Sequence, residues 1–320
     1  MQLSSEILTS PADTMRDTGP HLFWSDNPQE SLKNSIEEFG QTTPILVQKT
    51  NDGLEVIAGH ARVSILREQG KPVLARLVEE ADDVEKGLLY LADNAQRPLD
   101  DAMRFAALRY FRPLMDEKRL RSDILQRLGV KPKSKDAKLF AAWLDMPENW
   151  QEHLLAGRVP LAAGIVLGRM EEADRDAVEP LFANFAWSRS NGVNMLTWLF
   201  EAGKMASCST ADIMERAGVN EILKQGLSPK DCIARLNAAV KDTRYPELSA
   251  LQERFAKAAR EITAGTRWRL SQPNNFETGG AEMTVQIKDA DQLAKAVKDL
   301  ETIAGESTWK TLWKLGGKND

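Results

Sequence analysis

The sequence has little of what metal centres and disulfide frameworks require. Among 320 residues only two are cysteine, Cys208 and Cys232, and their spacing is not that of metal ligands. Only three are histidine, and these are spread along the chain as His21, His60 and His153. We therefore expect two reduced thiols and no structural zinc site.

Long apolar runs are also missing. None approaches the roughly 20 residues that a membrane-spanning helix needs. The N-terminal stretch MQLSSEILTSPADTMRDTG lacks the basic start and apolar block of a secretory signal. Hydrophobic residues make up 42% of the chain and charged residues 28%, as in ordinary globular proteins. We expect a cytoplasmic protein that makes no contact with a membrane.

The net charge of −5 does not favour nucleic-acid binding, but the charge is unevenly distributed. Residues 104–138 contain eleven Lys or Arg and four acids, a net charge of +7, whereas residues 79–101 contain eight acids and two basic residues, a net charge of −6. A local basic segment is typical of a DNA-binding surface. Two solvated helix faces would give the same pattern.

Hydrophobic periodicity predicts an α/β domain near the start of the chain. Residues 1–26 are polar without a clear period, and we expect them to be a flexible arm. Within residues 27–98 the pattern predicts a helix in NPQESLKNSIEEFG, a hairpin of PILVQK and LEVIA turning at TNDG, a helix from Gly59 to Gln69, and a third strand in PVLARLVE.

Almost everything from residue 82 to about residue 265 has helical periodicity, beginning with a helix in DDVEKGLLYLADNAQR that stops near Pro98. The pattern then changes to the strand-like stretches TRWRLSQ and AEMTVQIK, followed by the amphipathic helix DADQLAKAVKDLETIAG. The expected fold class is α+β and multidomain, with mostly α-helical structure.

The stretch EVIAGHARVSILREQG, residues 55–70, places a glycine where a buried strand turns into a helix. The first amides of a helix bind anions, and Gly59 lacks the Cβ atom that would block a close approach. Arg62, one turn into the helix, could donate two hydrogen bonds to the same anion, and His60 could donate another. A plain turn without a ligand is the alternative.

Three segments in order, GQTTPILV, AGHARVSIL and ADNAQRPLD, resemble the nucleotide-pocket motifs of the ParB-type partition proteins, which belong to the ParB and sulfiredoxin superfamily. The region from RSDILQRLGV to AAGIVLGRM is similar to the helix-turn-helix domain of that family. The tail resembles, more faintly, its C-terminal dimerisation unit.

The resemblance implies a ParB-like nucleotide-pocket domain over 27–98, an all-α helix-turn-helix domain over 99–186, a helical region of unknown role over 187–245, and a small αββα-like dimerisation unit over 246–320. It further implies a homodimer that binds CTP with Mg²⁺ and reads a palindromic site in double-stranded DNA. CTP would close the dimer into a sliding clamp, and a ParA-type ATPase would move the complex.

The resemblance also assigns residues to the nucleotide pocket, with Asn94 helping to hold the metal. They are Gly40, Thr42, Thr43, Pro44, Gly59, His60, Arg62, Asp93, Asn94 and Arg97. The family usually has Gln at the position of Thr43, an acid at His60 and arginine at Ala61. Because the missing acid is associated with hydrolysis, we expect at most a slow CTPase.

The helix-turn-helix is also supported by the residues themselves. Ser122 can cap a first helix, Gly129 makes the turn, and Ser134 caps a second helix whose apolar side includes Leu139, Trp143 and Leu144. The N-terminal end of the second helix would enter the major groove. The expected DNA-binding residues are Lys131, Lys133, Ser134, Lys135, Asp136 and Lys138. An ordinary helical hairpin with a basic end is the alternative.

Two other functions stay open. One is a transcriptional repressor that has kept the fold and lost nucleotide use, which the variant second motif favours. The other is a ParB-like nuclease, which is disfavoured because no cluster of acids and histidines accompanies Asp93 and because the acidic stretch would repel DNA.

Overall fold

A computed structural model describes residues 1–24, 28–272, 276 and 280–315. The chain divides into two compact units, Met1–Leu196 and Thr197–Asp320. The expected mixture of α and β structure with a helical majority is confirmed. Within the described ranges, no helix has the length and apolarity to span a bilayer.

The first unit begins with a five-stranded sheet in the order β1-β5-β3-β4-β2. β1 and β5 pair antiparallel, as do β3 and β4, whereas β3 with β5 and β2 with β4 are parallel. The predicted hairpin at TNDG is the β3–β4 connection, in which Thr50 pairs with Gly53. The strands are β1 (Gln2–Pro11), β2 (Met15–Arg16), β3 (Ile45–Thr50), β4 (Gly53–Ala58) and β5 (Pro72–Glu79).

The prediction of a flexible arm over residues 1–26 is wrong for residues 1–24; residues 25–27 lie outside the described part. The segment supplies both edge strands of the sheet. Most side chains of β1 are exposed, so its sequence shows no hydrophobic period, and backbone pairing with β5 holds it in place. Arg67 anchors the following turn, donating from Nη1 to Asp17 at 2.7 Å and from Nη2 to the Met15 carbonyl at 2.9 Å.

Three helices cover the sheet and complete this domain. One face buries Ile45, Val47, Val73 and Ala75 together with side chains from α1 and α2. The opposite face buries Ile57 and Val78 beneath the segment that leads into α3. The helices are α1 (Glu30–Phe39), α2 (His60–Glu68) and α3 (Asp83–Asp93).

Helices make up the rest of the first unit. A π-helical turn over Leu120–Ile124 joins α5 to α6, so the two short helices form one irregular helix. Ser122 lies inside that turn, and the prediction that it caps the helix is wrong; Asp116 is the cap, accepting from the Arg119 amide at 2.8 Å. The helices are α4 (Asp101–Phe111), α5 (Glu117–Arg119), α6 (Leu125–Arg127), α7 (Lys135–Leu144), α8 (Glu148–Leu155), α9 (Gly164–Leu167) and α10 (Glu172–Asn184).

The second unit is helical with a small two-stranded sheet. The boundary between the units falls inside α11 (Arg189–Ala206), and the division into four domains stays a prediction. A core of Phe255, Ala259, Ile262, Ile303 and Leu312 joins the last elements. The elements after α11 are α12 (Thr210–Arg216), α13 (Val219–Leu223), α14 (Pro229–Arg244), α15 (Pro246–Ile262), β6 (Arg269–Ser271), β7 (Glu282–Thr284), α16 (Ala290–Ala304) and α17 (Trp309–Leu312).

Candidate functional site

The three predicted motifs meet at one cleft of about 800 Å³ in the α/β domain. The loop after α1, the start of α2 and the end of α3 form its walls. Every predicted pocket residue lines the cleft except Pro44, whose carbonyl is held by Arg62 behind the loop. The predicted residues in the lining are Gly40, Thr42, Thr43, Gly59, His60, Arg62, Asp93, Asn94 and Arg97.

Arg62, in the second motif, is hydrogen-bonded to residues of the first and third motifs. Its Nη1 donates to the carbonyls of Thr43 and Pro44 at 3.0 and 3.1 Å, and its Nη2 donates to Asp93 at 2.8 Å. The side chains of Arg62 and Asp93 are only 16% and 25% exposed. A guanidinium has five N–H donors, and these three bonds leave two of them unused among the described residues. Arg62 therefore positions the walls of the cleft, a role that the sequence analysis did not foresee.

Backbone conformation and packing both restrict the residue at position 59. Its φ of +103° lies in the left-handed region, and an added Cβ would lie 2.5 Å from Ile45 Cγ2. Chain packing therefore excludes a side chain at Gly59.

We expect Gly59→Ala to lower the free energy of unfolding by about 2 kcal/mol or more. Urea unfolding measures this, with Gly70→Ala as control because open space surrounds Gly70 at φ +63°; equal losses in both variants would contradict the packing argument.

His60 lies in a group of buried aromatic rings. Its ring centroid is 5.9 Å from that of His21 and 5.8 Å from that of Tyr90. Neither ring nitrogen of His60 has a hydrogen-bond partner in the described part of the chain. Burial, assisted by the nearby His21 and opposed by Asp17, lowers the pKa of His60 to about 4. His60 is therefore neutral at pH 7 and contributes no positive charge to an anion in the cleft.

This lowered pKa predicts acid sensitivity. The unfolded chain binds a proton at His60 near pH 6.5, while the folded chain stays neutral down to about pH 4, so stability falls as the pH drops through this window. We expect the titration of His60 to lower the free energy of unfolding by about 2 kcal/mol when the pH falls from 7 to 5. Urea unfolding at both pH values measures this loss, and His60→Phe should reduce it by that amount. An unchanged pH dependence in the variant would contradict the assignment.

Asp93 and Asn94 supply oxygen atoms at the end of α3. Asn94 Nδ2 donates to the Tyr90 carbonyl at 2.9 Å, which fixes the amide group and leaves its oxygen to face other partners. No group of three or more His, Cys, Asp or Glu side chains suited to a metal occurs in the part of the chain that the structure describes. The carboxylate of Asp93 and the amide of Asn94 are oxygen donors of the kind that Mg²⁺ prefers.

Two further residues shape the cleft and were missed by the sequence analysis. The Gln41 side chain pairs with the backbone of Leu74, donating to its carbonyl and accepting from its amide, both at 2.7 Å, and so fixes the first motif on β5. Trp24 is 7% exposed, and the guanidinium of Arg97 lies 5.2 Å from its ring centroid. A lone tryptophan in a polar segment was the signal that could have identified Trp24.

The predicted DNA-reading helix begins as expected. Ser134 caps α7, its Oγ accepting from the Ala137 amide at 3.1 Å, and Leu139 and Trp143 are buried. The turn before it contains Gly129 at φ +71°. Ser134 is half-buried, and the other expected DNA-binding residues are exposed at the N-terminal end of α7 or just before it: Lys131, Lys133, Lys135, Asp136 and Lys138.

The basic segment contains two kinds of cation. Its arginines mostly form ion pairs within the domain, as Arg109 does with Glu148 and Glu152 and Arg112 with Asp145. By contrast, the described residues offer no ion-pair partner to any of the four lysines around the start of α7, Lys131, Lys133, Lys135 and Lys138. The charges of these four exposed lysines are therefore not neutralised by an ion pair within the described residues.

Comparison with known proteins agrees with this geometry. Residues 7–95 match the model of the ParB N-terminal domain. The chain is 26% identical over 155 residues to a probable chromosome-partitioning protein ParB of Campylobacter jejuni, covering 48% of this chain and 55% of the relative. It is 25% identical over 166 residues to the stage 0 sporulation protein J of Bacillus subtilis, covering 51% and 56%.

The chain thus spans about half the length of the curated relatives it matches. Among solved structures, it is similar at 16% identity and a TM-score of 0.34 to a C-terminally truncated ParB from Caulobacter crescentus complexed to the centromeric parS site, covering 59% of this chain and 98% of that one. The resemblance noted from the three motifs is confirmed.

Proposed function

We propose that this chain, whose residues 7–95 match the ParB N-terminal domain, is a dimeric DNA-binding protein of plasmid or chromosome partition that responds to CTP. One observation carries the proposal: three separate sequence motifs converge on Arg62 at a single cleft. Helix termini, an arginine with free donors and an amide oxygen are suited to a nucleotide's phosphates.

In this proposal the chain's own residues bind and orient the nucleotide. Arg62 would donate its two remaining N–H groups to phosphate oxygens, and the first amides of α2 would add further donors. Asn94 contributes its amide oxygen to Mg²⁺, which neutralises phosphate charge when bound. The neutral His60 offers no carboxylate, so hydrolysis of CTP is slow or absent.

The helix-turn-helix supplies DNA binding in the proposal. The N-terminal end of α7 enters the major groove of a palindromic site, and its unpaired lysines contact phosphates or guanine edges. A two-fold symmetric dimer matches two half-sites. Closure of the α/β domains on CTP then holds the dimer on DNA as a clamp, and a ParA-type ATPase moves the complex.

We place the dimer interface on α16, which presents an apolar face. Leu293, Val297 and Leu300 are 50%, 52% and 38% exposed and lie on one side of this helix. A self-complementary contact would bury them. Leu293→Glu combined with Val297→Glu should therefore give a monomer in light scattering without ligand. Lys298→Glu, an exposed change on the same helix, is the control and should stay dimeric; a dimer in the double variant would contradict this interface.

A DNA-binding assay with and without CTP and Mg²⁺ tests the proposal. A clamp should remain on closed circular DNA after a high-salt wash only when CTP and Mg²⁺ are present, and should be lost when the DNA is linearised. The variant second motif favours one other function, a plain repressor that binds DNA in the same way with or without nucleotide. Identical retention with and without CTP would favour the repressor.

A further inference from the structure

A second cleft, of about 820 Å³, lies in the helical part of the first unit. It opens between α4, the irregular helix α5–α6, and α7. Its floor is apolar, and its volume is in the range of small-molecule sites. The floor residues Leu108, Leu120, Leu125 and Phe140 are all buried.

The rim of this cleft is cationic. Two of its arginines are neutralised, Arg112 by Asp145 and Arg121 by Glu117. Lys133 and Lys138 also line the cleft, and among the described residues neither has an ion-pair partner. An apolar floor beneath two unpaired ammonium groups complements a ligand with a hydrophobic body and one negative charge.

The wall opposite α7 has irregular helical geometry. Leu120 and Arg121 belong to the π-helical turn and both line the cleft. Single π-helical turns inside α-helices are rare and occur frequently at functional sites. This backbone feature is independent of the charge pattern and points to the same cleft.

We propose that this cleft binds a small amphipathic anion, a carboxylate or sulfonate on an aliphatic or aromatic body. Such a ligand places its charge on Lys133 and Lys138 and its body over Leu120 and Phe140. Because both lysines belong to the proposed DNA-binding end of α7, the ligand and DNA compete. That competition rests on the proposed function, whereas the ligand site does not.

Fluorescence of 8-anilinonaphthalene-1-sulfonate with the full-length chain tests the site. We expect saturable binding that Ala141→Leu weakens by about tenfold or more, equivalent to about 1.4 kcal/mol. Ala141 lines the cleft, whereas the half-buried Ala142 on the same helix does not, so Ala142→Leu is the matched control. Circular dichroism checks that both variants fold. Equal affinities in the two variants, or binding that does not saturate, would overturn the proposal.

Displacement of the fluorophore tests the ligand's charge and its coupling to DNA. Decanoate should displace the fluorophore, and decyltrimethylammonium should not. Equal displacement by both would show that the two lysines do not select a negatively charged ligand. Duplex DNA should also displace the fluorophore from the wild-type chain. If decanoate binds and DNA does not displace the fluorophore, the ligand site stands and its link to the proposed DNA surface fails.

Discussion

Replacing Arg62 by alanine is expected to abolish CTP binding, with a loss of about 100-fold or more, since charged hydrogen bonds contribute about 1.5–3 kcal/mol each. In the proposed function, the variant removes two donors to the phosphates. It also releases the bonds to Thr43, Pro44 and Asp93 that hold the three motifs together. Isothermal calorimetry with CTP and Mg²⁺ measures the loss.

A second variant separates charge from geometry. Arg62→Lys keeps the positive charge but cannot reach two carbonyls and a carboxylate at once, and it should also bind CTP poorly. Arg16→Ala is the matched control, because Arg16 forms an exposed ion pair with Asp52 in the same domain and does not line the cleft. Wild-type affinity in Arg62→Lys would show that charge alone matters and that the positioning role is wrong.

Replacing Lys135 and Lys138 together by alanine is expected to weaken DNA binding strongly and to flatten its salt dependence. Both lysines are exposed at the start of α7 without an ion pair among the described residues. Each lost phosphate contact reduces the slope of log affinity against log salt by about 0.9, so the double variant should lose about 2. Fluorescence anisotropy over a salt series, on a site selected from random duplexes, measures both effects.

The control is Lys49→Ala with Lys71→Ala, which removes two exposed lysines of the α/β domain and leaves the total charge the same as in the test variant. This control should retain most of its affinity and its salt slope. If the test and control variants lose the same affinity and the same salt slope, the total charge of the chain explains DNA binding, and the position of the lysines on α7 does not.

Much of the α/β domain was predictable because its interior strands are short apolar runs with clear turns. The hairpin at residues 45–58 and the capped start of α7 follow directly from such local signals. β1 was not predictable, because an exposed edge strand has no hydrophobic period and depends on backbone pairing with a partner about 70 residues away in sequence.

The residues that line the cleft were predictable from the motifs, but the hydrogen bonds and packing contacts between them were not. Sequence shows that Arg62 follows Gly59 on one helix turn, yet not that it bonds to a loop 19 residues upstream and to Asp93, 31 residues downstream. The pair of Gln41 with Leu74 and the exclusion of a Cβ at Gly59 by Ile45 likewise depend on how strands pack.

Binding of CTP in the cleft around Arg62 is the property on which the proposed function depends. It can be measured by calorimetry with CTP, ATP, GTP and UTP, each with Mg²⁺ and in the presence of the selected DNA site. We expect saturable binding of CTP to the wild-type chain, much weaker binding of the other three nucleotides, and no measurable binding of CTP to Arg62→Ala. No measurable binding of any nucleotide to the wild-type chain would contradict it.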